Sequence, residues 1–154
     1  MTKLAWAWGL LAAAGAEIWT DARVMGLEFK VPSEWRETVR QETHRFEPPS
    51  GDAGLEVSVY PVTPRDSTLC VSQLLEALNE KGWESVRMGG EPGAKKRLRD
   101  AAPDKKEGYE TVTYLGCNGR WKWVMTLSSR LGSGPATQAM AEKLSRSVRY
   151  RAAP

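Results

Sequence analysis

The feature that most constrains the fold is the dipeptide Asn118-Gly119, which sits between two alternating segments, Glu110 to Leu115 and Arg120 to Ser129. Asn and Gly tolerate the positive φ angles of a tight turn, so the pattern predicts two antiparallel strands joined as a hairpin. On the second strand Trp121, Trp123, Met125 and Leu127 share one face, and Lys122, Val124, Thr126 and Ser128 share the other. The period-two spacing makes Trp121 and Trp123 core residues facing a helix.

The rest of the chain alternates strand and helix signals. Leu27 to Val31 has a period of two and is broken by Pro32-Ser33-Glu34-Trp35. Thr38 to Phe46 is extended and polar on both faces, as an edge strand is, and Pro48-Pro49-Ser50-Gly51 ends it. Leu55, Val57 and Val59 define a third strand closed by Pro61 and Pro64, so three strands are expected before any helix. Val71, Leu74, Leu75 and Leu78 recur at helical spacing after a cap at Asp66 or Ser67, with Gly82 beyond the end. Trp83, Val86 and Met88 suggest a short strand, and Gly89-Gly90-Glu91-Pro92-Gly93 reads as a turn. The basic stretch that follows is open between strand and loop. Ser133-Gly134-Pro135 opens a second helix with Ala136, Met140 and Leu144 on one stripe, and Ser147 to Arg151 is a last extended segment.

Composition limits the class. A chain of 154 residues fits one domain, and 41% hydrophobic with 27% charged residues is ordinary globular usage. A net charge of +3 is far from the density that neutralises many phosphates, so nucleic acid is not an expected partner. One histidine and two cysteines leave few ligands for zinc or copper, and no cofactor is implied.

Met1-Thr2-Lys3 is a basic start, Leu4 to Ala16 is an apolar run, and Ala14-Gly15-Ala16 supplies small residues for a signal peptidase. Residues 1 to 16 therefore read as a secretory leader and residues 17 to 154 as the mature domain. The run is short for a membrane span, and no cysteine follows it to accept a lipid. The expected location is periplasmic or secreted. Two cysteines in an exported chain point to a disulfide between Cys70 and Cys117, closing a loop of about 47 residues.

These elements describe an α+β domain, a mostly antiparallel sheet flanked by two helices. Phe29-Lys30-Val31-Pro32-Ser33-Glu34-Trp35 resembles the F-x-x-P-x-x-W opening of the PsbP-like superfamily, which includes Ran-release factors and bacterial exported homologues. Leu144-Ser145-Arg146-Ser147-Val148-Arg149-Tyr150 is similar to the helix-to-final-strand end of those proteins, and the resemblance covers roughly residues 24 to 151. It implies an α/β/α sandwich and a non-catalytic protein that binds partners or assists assembly. It assigns no functional residue by position.

Candidate sites are few. Lys95, Lys96, Arg97 and Arg99 form a basic stretch that would suit an acidic partner or an anionic surface, and Trp35 is a candidate aromatic contact. A small hydrolase or thiol enzyme would have to place His44 near Cys70, Cys117 or a serine. A third reading, a cytoplasmic chaperone of secretion effectors with the same fold, requires residues 1 to 16 to stay attached and the thiols to stay reduced.

Overall fold

The computed structural model describes residues 17–63, 67–101, 108–131 and 137–151. Its elements in chain order are β1 (Trp19–Val24), β2 (Leu27–Pro32), β3 (Arg36–Arg40), β4 (Thr43–Glu47), β5 (Ala53–Pro61), α1 (Ser67–Asn79), β6 (Trp83–Met88), β7 (Glu91–Ala101), β8 (Gly108–Cys117), β9 (Trp121–Arg130), α2 (Thr137–Ser147) and β10 (Arg149–Tyr150). The leader segment, Asp66 and the expected opening of the second helix at Ser133-Gly134-Pro135 lie outside the described residues.

A seven-stranded sheet has the order β3-β4-β5-β9-β8-β7-β6, and a three-stranded sheet has the order β1-β2-β10. Every strand pairing is antiparallel. The α+β class read from the sequence is the class observed.

The register explains the core. Leu55, Leu127 and Val112 lie in line across β5, β9 and β8, as do Val57, Met125 and Tyr114 one pleat further along. All six are buried, and the small sheet and α2 cover them with Leu27, Phe29, Ala141 and Leu144. The rings of Phe29 and Phe46 meet edge to face at 5.6 Å, an arrangement worth about 1 kcal/mol beyond the area it buries. Trp123 is wholly buried, as its spacing predicted, whereas Trp121 is only half-buried at the sheet's end. The opposite face of the large sheet receives α1, which packs on β6, β7 and β8.

Several expectations need correction. Trp19–Val24 forms a strand that the sequence did not announce, and the extended stretch from Thr38 to Phe46 is two strands, not one. The chain reverses at Gln41, whose φ of 54° lets Arg40 pair with Thr43. Five described strands therefore precede α1. The expected turn at residues 89–93 is confined to Gly89-Gly90, both at positive φ, and Glu91 already pairs with Met88. The basic stretch belongs to β7, an eleven-residue strand. The hairpin at Asn118-Gly119 is present, with Gly119 and Arg120 at its tip and the Asn118 side chain accepting the Arg120 and Trp121 amides.

Candidate binding face

On β7 the alternation of side chains divides the basic stretch. Lys95, Arg97 and Arg99 oppose Tyr114, Val112 and Glu110 on the α2 side, while Lys96 opposes Thr113 on the other side. The four cations therefore do not form one patch. Lys96 lies over the Trp83 ring at 5.6 Å from its centroid, and Arg97 is bound to Glu110 and, at 2.6 Å, to the Gln138 side chain of α2. Glu110 is buried, so the Arg97 guanidinium is the partner that makes its burial tolerable.

Trp35 is withdrawn from the surface. It has a relative exposure of 9% and packs in the main core, because the turn after β2 folds it inward. The Trp35 amide donates to the Pro32 carbonyl at 3.0 Å. A partner-contact role for Trp35 is set aside on this ground.

His44 lies on β4 on the core side of the sheet, and its Nδ1 is 2.6 Å from Glu37 Oε1 on the edge strand. Cys117 belongs to the opposite side, where a disulfide joins it to Cys70 of α1 across a Cα separation of 6.1 Å. Among the described residues there is no free thiol, and the histidine stands on the wrong side of the sheet to reach the bridge. No set of three metal-ligating residues gathers among them either.

The face that α1 shares is the more informative one. Helix α1 packs on it mainly at β6, β7 and β8 and meets β9 at Lys122, while Arg45 on β4 and Glu56 on β5 stay exposed. Hydroxyl groups pair across its strands: Thr43 with Ser58 at 3.0 Å, Thr111 with Ser128 at 3.1 Å and Thr113 with Thr126 at 3.5 Å. Arg45 bridges Glu47 and Glu56 on the same surface. Around this polar centre Tyr60, Leu69, Leu98 and Tyr109 expose large apolar side chains. Such a surface, a satisfied polar centre with exposed apolar groups at its margin, suits contact with another protein.

Beneath α1 the same face forms a hollow of about 240 Å³ lined by Leu74, Leu115, Val124, Lys122 and the two bridged cysteines, among others. Reasoning from sequence missed this face. Its signal was the run of small polar residues alternating with the core positions of the two hairpin strands, Thr111, Thr113, Thr126 and Ser128, which become neighbours once the register is known.

The chain shares its fold with a protein of Bacteroides thetaiotaomicron. The two are 14% identical and superpose with a TM-score of 0.65, over 85% of this chain and 47% of the other. This chain thus spans about half the length of that protein. Lesser overlap is found with a variant of Mog1, at 12% identity, 84% and 85% coverage and a TM-score of 0.41. LpqN, described as involved in cell envelope biogenesis of Mycobacterium tuberculosis, overlaps at 10% identity, 91% and 88% coverage and a TM-score of 0.48. The likeness to the Bacteroides protein is one of fold. No family model and no curated protein matches the chain. Among the described residues, no helix is long and apolar enough to cross a membrane.

Proposed function

We propose that this chain is an exported, non-catalytic binding or accessory domain of the cell envelope, with residues 1 to 16 removed as a leader. The observation that carries the proposal is the bridge between Cys70 and Cys117. Disulfides form and persist in oxidising compartments, so a chain whose two cysteines both lie in one bridge is suited to the periplasm or the exterior. A cytoplasmic chaperone would keep both thiols reduced.

The binding part of the proposal rests on the open face of the large sheet. Its hydroxyls and charges are paired among themselves, and its exposed Tyr60, Leu69, Leu98 and Tyr109 offer apolar area to a partner. The non-catalytic part is supported by the separation of His44 from the bridged cysteines.

A photo-crosslinking residue placed singly at Leu69, Tyr109 or Val39 in the native host tests this reading. The first two stand on the open face, whereas Val39, exposed on the edge strand, opposes His44 on the other side of the sheet. A discrete envelope-protein adduct at Leu69 and Tyr109 but not at Val39 is expected; equal adducts at all three, or none, would contradict it.

A further inference from the structure

We propose that the hollow beneath α1 binds a single acyl chain of medium length that ends in a carboxylate. The hollow lies on the same face as the proposed partner-binding surface, but the assignment stands on its own geometry. Its wall is mostly apolar, made by Leu74 of α1, Leu115 of β8 and Val124 of β9 around the Cys70–Cys117 bridge. The volume of about 240 Å³ is below the roughly 300 Å³ at which sites for drug-sized ligands begin, but it accommodates a slender chain.

The polar end of the ligand is specified by Lys122. This residue lines the hollow and is itself exposed, so its ammonium stands at the mouth. Its Nζ donates to Gln73 Oε1 at 3.1 Å, a neutral partner, and the ion pairs among the described residues do not include it. A second hollow of about 230 Å³ shares Cys70, Gln73 and Lys122 and extends to Tyr60 and Leu69. Among the described residues, Lys122 is the one cation lining either space. A single ammonium with a single amide beside it matches one singly charged carboxylate; a phosphate would call for more donors. The chain then lies against Leu74, Leu115 and Val124, with its head held by Lys122 and Gln73.

Calorimetric titration of the oxidised chain with hexanoate, octanoate, decanoate and decanol, all below micelle-forming concentrations, tests the assignment. Saturable one-to-one binding is expected, tightening about fourfold per added methylene until the hollow is filled. Lys122→Met should weaken decanoate about tenfold and leave decanol unchanged. Filling the hollow by Leu74→Trp, or by Leu115→Phe if the first variant does not fold, should abolish binding of both while near-ultraviolet circular dichroism stays native. Absence of saturable binding, binding that survives a folded filling variant, or decanol binding as tightly as decanoate would each overturn the proposal.

Discussion

Trp123 on β9 donates its indole N–H to the Tyr150 hydroxyl on β10 at 2.8 Å, so one hydrogen bond joins the last strand of the small sheet to the centre of the large one. Tyr150 also packs on the Gly89 turn, where an added Cβ would come within 2.8 Å of its ring. Removing the hydroxyl leaves a wholly buried tryptophan with an unpaired donor. Tyr150→Phe should destabilise the fold by about 1–3 kcal/mol in urea unfolding.

The same tyrosine gives the fold an alkaline limit. Burial, the largest influence, pushes its phenol from the ordinary 10 up to about 12; the hydrogen bond to Trp123 opposes this and the Glu91 charge adds to it. Burial also raises the Tyr114 phenol. The folded chain therefore keeps these protons at pH values where the unfolded chain has lost them. The stabilisation is whole below pH 10 and is lost as pH rises from about 10 toward about 12. Unfolding measured across that range should show falling stability in the native chain and a shallower fall in Tyr150→Phe.

Gly116 is required by the ring beside it. It opposes Trp123 across β8 and β9, and a Cβ there would stand 1.9 Å from the indole Cζ2. Gly116→Ala must displace the largest side chain of the core and should cost about 3 kcal/mol. Gly51→Ala meets no atom within 4 Å and pays only for its φ of 70°, so it should cost about 1 kcal/mol. Chemical denaturation of the two variants compares them directly.

The basic residues of β7 should behave unequally. Arg97→Ala strands the buried Glu110 carboxylate and should destabilise by about 3 kcal/mol. Arg99→Ala, on an exposed residue, should fall within about 0.5 kcal/mol of the native chain. Thermal unfolding of the two single variants separates a structural cation from a solvated one.

How much of this was legible follows from where the turn chemistry is written. The β8–β9 hairpin and the helix ending before Gly82 were readable because Gly119 and Gly82 sit where the backbone takes positive φ. The β1–β2 and β3–β4 turns were not, because Met25 and Gln41 hold φ of 51° and 54° without glycine at those positions. β1 also lacks a clean alternation: Trp19 and Ala22 are half-buried and Asp21 and Arg23 exposed, so period two is blurred. The disulfide was legible from two cysteines in a chain read as exported. The binding face was not, since its small polar residues Thr111, Thr113, Thr126 and Ser128 become neighbours only once the register is known.

The central claim, an exported domain stapled by one disulfide, is tested most directly by the intact mass of the protein from its native host, alkylated before and after reduction. The account predicts a chain lacking residues 1 to 16 whose two cysteines accept alkyl groups only once reduced. A full-length chain alkylated at both cysteines without reductant would contradict it.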